Sequence, residues 1–234
     1  MQLTPDDSIL FTLLGLPVNA TIFNTWIIMA VLAGVAALIT RNLRPDVPPN
    51  RWRTALEVTV NGIVSQIAEI TGRHDPRVLY FSGTLFLFIV TANLLTVVPG
   101  FDTPTASLST TVALALSVLI AVPMFGIGSR GIMGYLKTYI EPSIIMLPFN
   151  IISEFSRGIS LAIRLYGNIM SGAVIAAILL GVAPFFFPVV MNMLGLLTGV
   201  IQAYIFAILA TVYISSATAV QPASDTSETT KETP

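Results

Sequence analysis

The sequence predicts an all-α, polytopic membrane protein. About five transmembrane helices are expected, the last two forming a long, steeply tilted hairpin, with one amphipathic helix at the cytoplasmic interface. Three observations carry this. The 234 residues are 54% hydrophobic and only 10% charged, where a soluble domain has about a quarter of its residues charged. Several apolar runs reach the roughly 20 residues that a bilayer crossing needs. The charges are gathered between those runs, above all in 41–77 and 128–141.

Composition also excludes function classes. A net charge of -1 gives no basic surface for nucleic acid. Without cysteine there is no disulfide, thiolate nucleophile or Cys-ligated metal, and the single His74 rules out a histidine-rich haem or metal site. No nucleotide-binding loop, HExxH or catalytic carboxylate pair occurs, and Ser156 and Ser160 have no histidine base near them in sequence. An enzyme acting alone is disfavoured, and no cofactor or metal is expected.

Residues 1–24 are a short lead, expected on the outer side. The opening MQLTPDDS is acidic, a poor start for a cleaved signal peptide. SILFTLLGLPV is too short to span and is expected at the interface. The first span is expected over 25–40, with Trp26 at one interface and Arg41 and Arg44 beyond the other end. Within 41–77, WRTALEVTVNGIVSQIAEITG has helical spacing. Leu56, Val60, Ile63, Val64, Ile67 and Ile70 make an apolar stripe, with Glu57 and Gln66 placed elsewhere. The arginine excess puts this segment in the cytoplasm.

The second span is expected over 78–98, with Asn93 inside it and Pro99-Gly100 stopping it. The third is expected over 108–127, with Pro123 as a kink near its end. A cytoplasmic loop follows at 128–141, carrying Arg130 and Lys137. The fourth and fifth segments, 142–182 and 185–219, form the hairpin. Forty residues make about 60 Å of helix against a hydrocarbon core of about 30 Å, so the fourth must tilt, bend or begin along the surface. Residues 220–234 are a polar tail, expected to be disordered and cytoplasmic. Five spans then leave the N-terminus outside and the C-terminus inside.

The chemistry centres on Arg164, near the middle of the fourth segment, with no further charge until Asp225. An arginine in hydrocarbon is expensive. Two readings stand: it snorkels or pairs structurally, or it is the fixed charge of an ion path. Glu154, about 15 Å upstream along a helix, is too far to pair with it directly. Arg157 lies on roughly the same face, nearer the cytoplasmic end. A guanidinium stays protonated even when poorly solvated, which suits a permanent cation facing a passing carboxylate. Asn168 is one turn from Arg164 on the same face. Gln202 is expected to reach the depth of Arg164 across the hairpin. Both amides are read either as helix-to-helix hydrogen bonds or as lining for the path. Asn93, Ser107, Thr110, Asn150, Glu154, Ser171, Asn192 and Tyr204 are the further candidates for lining an aqueous passage. Small residues around Arg164, including Gly158, Ser160, Gly167, Gly172 and Ala176, permit close approach by packed helices or by a sliding partner.

The stretch SRGISLAIRLYGNIMSG resembles the signature of subunit a of F-type ATP synthases. ANLLTVVPGF with PTASLSTTVALAL, LEVTVNGIV and IQAYIFAILATVYIS extend the resemblance over 25–219. It implies a single transmembrane ion-channel domain in a bacterial inner membrane, beside a c-ring. Subunit b, the other F0 and F1 subunits and membrane lipid are the implied partners, and H⁺ or Na⁺ the implied cargo. It assigns the essential arginine to Arg164 and its companions to Asn168 and Gln202. The sequence departs from the family pattern at Ala173, Gly195, Ser107 and Asn150, where acidic or histidine residues are common, and at Gly158, where proline is. The family's motor arginine is kept while several titratable positions are neutral. A secondary transporter would instead show internal repeats, and a membrane scaffold would use Arg164 only for packing.

Overall fold

The computed structural model describes residues 9–13, 16–40, 51–71, 76–98, 101, 103–140, 143–181 and 186–218. The expected tail at 220–234 lies outside the described residues. Among these residues six α-helices follow a short ribbon: α1 (Ala20–Thr40), α2 (Arg51–Thr71), α3 (Pro76–Leu94), α4 (Leu108–Ile140), α5 (Met146–Leu180) and α6 (Phe186–Thr218). All but α2 are long and apolar enough to cross a membrane.

One expectation about local structure is corrected, that of a loop at 128–141. The lead adds a short ribbon to described residues that are otherwise helical: β1 (Ile9–Leu13) and β2 (Leu16–Asn19) pair antiparallel, with Phe11 opposite Val18 and Leu13 opposite Leu16. Runs this short do not sustain a helix on their own, and antiparallel pairing satisfies their backbone groups instead. The expected loop at 128–141 is largely helical. Helix α4 runs through Pro123 and is interrupted at Gly131 (φ 73°, ψ 166°). That backbone region is essentially restricted to glycine, so Gly131 sets where the helix turns.

The core is a layer of inward stripes. On α3, Val78, Ser82, Leu85, Ile89 and Asn93 recur every three or four residues and are buried. Thr111, Ala115, Val118 and Val122 do the same on α4, and Ala203, Phe206, Ala210 and Ile214 on α6. Helix α5 contributes Gly158, Leu161, Ala162 and Leu165. Small residues let these helices approach closely, as expected where lipid supplies no hydrophobic drive between helices. Ile28 anchors α1 in the core, while Met29, Val35 and Leu38 are exposed.

Helix α2 packs through Ile63 and Ile67, but Gln66 is not on its far side. Its Oε1 accepts a hydrogen bond from the Tyr204 hydroxyl of α6 at 2.6 Å, and Gln66, Ile63 and Ile67 line one groove with α3 and α6. Val60, counted in the expected apolar stripe, is exposed. The side chains of Leu56 and Ile70 lie outside the described set.

Candidate functional site

Helix α5 presents three faces. The buried one is given above. Exposed Ile152, Phe155, Ile159 and Ile163 make the second. Between them runs a polar stripe: Ser153, Arg157, Ser160, Arg164, Asn168 and Ser171, spaced by three or four residues. At 100° per residue these six side chains fall within about a quarter of a turn. Arg164 is exposed on that stripe and makes no hydrogen bond or ion pair among the described residues. Placing a guanidinium there costs about 2.5 to 3.5 kcal/mol on insertion scales when no partner meets it.

Two clefts open on α5, one on each side of Arg164. Toward the α5 N-terminus, a cleft of about 170 Å³ is lined by Asn150, Ser153, Glu154 and Arg157 with Tyr135, Tyr139 and Ser216. Toward the C-terminus, a cleft of about 280 Å³ is lined by Asn168, Ser171, Gly172 and Ala173 of α5. Asn93 and Thr96 close it from the α3 side, and Asn192, Gly195 and Thr198 from α6. The structure therefore groups Asn93, Asn168, Ser171 and Asn192 at one place and Asn150 with Glu154 at another. Arg164 lines neither cleft and lies along α5 between them.

The candidates differ in how free they are. Asn93 Nδ2 donates to the Gly199 carbonyl at 2.8 Å, and its Oδ1 accepts from the Thr105 hydroxyl at 2.9 Å. Its amide ties α3 to α6 and to the 3-10 turn at Pro104–Ala106. A Cβ on Gly199 would come within 3.0 to 3.1 Å of the Asn93 side chain, so glycine permits this approach. Ser107 is buried and sits at the start of α4, its Oγ 3.5 Å from the Thr110 amide, a capping position. Neither Ser107 nor Thr110 lines the two clefts described above. Tyr204 is engaged with Gln66, away from both. The Ser171 hydroxyl donates back to the Asn168 carbonyl at 3.1 Å.

Gln202 is buried, and its Nε2 has no hydrogen-bond partner among the described residues. Arg164 lies 16 residues before the end of α5 at Leu180, and Gln202 lies 16 residues after the start of α6 at Phe186. These equal offsets are the ones an antiparallel pair needs to bring the two residues level.

The sequence reading missed the tyrosines. Tyr135 and Tyr139 are one helical turn apart, on a stretch expected to be loop, and their hydroxyls are 2.7 Å apart. The Tyr139 hydroxyl also donates to Glu154 Oε2. A Y-x-x-x-Y spacing was the available signal. Arg157 places its guanidinium over the Tyr213 ring, 5.2 Å from the centroid. Among the described residues, no group of His, Cys, Asp and Glu is arranged to hold a metal.

Residues 22–215 match the family model described as ATP synthase A chain. The chain is 58% identical to ATP synthase subunit a 2 of Picosynechococcus sp. over 94% of its own length and 95% of that protein. It is 56% identical to ATP synthase subunit a of Albidiferax ferrireducens, over 93% and 94%. With ATP synthase subunit a 1 of Chlorobaculum parvum the identity is 55%, over 93% and 96%.

Proposed function

The chain belongs to the ATP synthase A chain family, whose members are non-catalytic membrane subunits of ATP synthase, and from that premise we propose that Arg164 is the fixed charge of its ion path. The chain is the stator half of the membrane motor, in a bacterial inner membrane with the N-terminus outside and the C-terminus in the cytoplasm. The hairpin of α5 and α6 lies tilted against a c-ring. Subunit b and the other F0 and F1 subunits complete the complex. The two clefts are the half-channels: the one at Asn150 and Glu154 opens to the cytoplasm, the one at Asn93, Asn168, Ser171 and Asn192 to the outside. The observation that carries this reading is an exposed, unpaired Arg164 on a polar stripe between two clefts.

The mechanism follows from charge. An ion enters one cleft and neutralises a c-ring carboxylate. The ring turns, the ion leaves by the other cleft, and the bare carboxylate meets Arg164 in transit. The guanidinium cannot lose its proton, so it blocks ion passage straight from cleft to cleft. Asn168, one turn away, and Gln202, at the same depth, hold water or the guanidinium in place. The membrane potential supplies about 2.3 kcal/mol per charge per 100 mV.

Protons are the favoured cargo. A Na⁺ version is the second reading, favoured by the neutral lining of the outer cleft: its Asn, Ser and Thr groups offer oxygen ligands, and Ala173 and Gly195 carry no titratable group.

The test is Arg164→Ala in the assembled complex, reconstituted in liposomes. Coupled synthesis and ATP-driven pumping should vanish while assembly and ATP hydrolysis by the soluble sector persist. Retained coupling would refute the motor role. Loss of assembly alone would favour a packing role for Arg164.

A further inference from the structure

Glu154 is the sole aspartate or glutamate on α3, α4, α5 and α6. Its two oxygens are treated differently. Oε2 accepts from the Tyr139 hydroxyl, which in turn meets the Tyr135 hydroxyl. Oε1 is buried and has no partner among the described residues. A buried carboxylate oxygen without a donor is costly, so this position calls for water or a proton. It lines a cleft of about 170 Å³, room for several waters at about 30 Å³ each.

The part of α4 beyond Gly131 is built to hold Oε2. Gly131 turns the chain and brings the Tyr135 ring onto Gly126, so closely that a Cβ there would come within 2.5 Å of it. Asn150 Nδ2 donates to the Tyr139 carbonyl at 3.0 Å and fixes that residue against α5. Arg130 Nη1 donates to the Thr138 hydroxyl at 2.8 Å. Arg157 is drawn to Tyr213 of α6 and forms no ion pair with Glu154 among the described residues. The carboxylate is thus oriented without being neutralised by a fixed cation.

We propose that Glu154 is the proton-accepting group of the cytoplasmic cleft and that Tyr139, backed by Tyr135, is its positioning residue. This rests on the half-channel reading above. Oε1 takes a proton from hydronium in the cleft, leaving water. The carboxyl then returns that proton to the next water and is a carboxylate again. The O–H bonds of both tyrosines stay intact.

The experiment uses the complete complex in liposomes and records potential-driven proton flow and ATP synthesis. Glu154→Gln should slow flow roughly tenfold or more, short of the full effect of losing a proton-transfer group because water still passes. Glu154→Asp should restore most of the rate. Tyr139→Phe should slow flow while Glu154 is present and add nothing to the loss in Glu154→Gln, a dependence that a packing role would not produce. A wild-type rate in Glu154→Gln, or additive losses in the double variant, would overturn the proposal. If Glu154→Gln fails to assemble, Tyr139→Phe decides by its own rate, and a wild-type rate there overturns the proposal. Arg164→Ala runs alongside: if it uncouples while the Glu154 and Tyr139 variants behave as wild type, only this inference falls, and if it stays coupled, the reading beneath it falls too.

Discussion

Replacing Asn93 with alanine should loosen the wall of the outer cleft. The residue is 4% exposed and spends both ends of its amide on partners: the Gly199 carbonyl on α6 and the Thr105 hydroxyl, itself fully buried. Each hydrogen bond contributes about 0.5 to 1.5 kcal/mol net, and a buried group left without its partner costs more. Interhelical hydrogen bonds inside membranes average nearer 0.6 kcal/mol, because the unfolded chain in lipid finds other partners. The Gly199 carbonyl lies within a helix and keeps its backbone donor, which trims the loss on that side. Asn93→Ala should therefore destabilise the α3–α6 pairing by about 1 to 3 kcal/mol. The assay is equilibrium unfolding of the purified chain in mixed micelles, run as a double-mutant cycle with Thr105→Val. The cycle should return a coupling of at least about 0.5 kcal/mol between the two sites. A loss below that figure in Asn93→Ala, or additive effects in the cycle, would refute the view that this amide braces the cleft. Ion flow should fall with stability, since the same side chain shapes the passage.

Gly131→Ala should cost about 1 to 3 kcal/mol, because the backbone there is held at positive φ. It should also lower proton flow by releasing Tyr139 from Glu154, and unchanged thermal stability and flow would refute this. Phe206→Ala removes a ring with 0% exposure from the centre of the bundle and should cost about 3 kcal/mol or more, read as a shift in unfolding midpoint. Leu197→Ala, at 60% exposure, is its control and should cost less than about 1 kcal/mol. Equal effects at the two positions would contradict the core assignment.

Hydropathy alone determined the five apolar helices, because a bilayer requires about 20 apolar residues at each crossing and that requirement is local. The same holds for the isolation of Arg164 and for its polar companion Asn168, which follow from charge and helical periodicity. The ribbon of β1 and β2 and the helical extension of α4 past Gly131 were not legible. Runs of four or five residues carry too little periodicity to mark a strand, and a basic stretch with three glycines reads as loop until its φ angles are known.

Only the tertiary structure decided which polar groups were already occupied. Asn93 and Asn168 look alike in the sequence, yet Asn93 is bound to a carbonyl 106 residues away, while Asn168 lies on the polar stripe at a cleft. Gln66 lies among apolar neighbours because Tyr204, 138 residues on, supplies its donor. Glu154 became a distinct group only when a tyrosine from the preceding helix took one oxygen and left the other without a partner. Helix formation is set by neighbours within a few residues. Hydrogen-bond satisfaction depends on which distant segments packing brings into reach, and no local pattern encodes that.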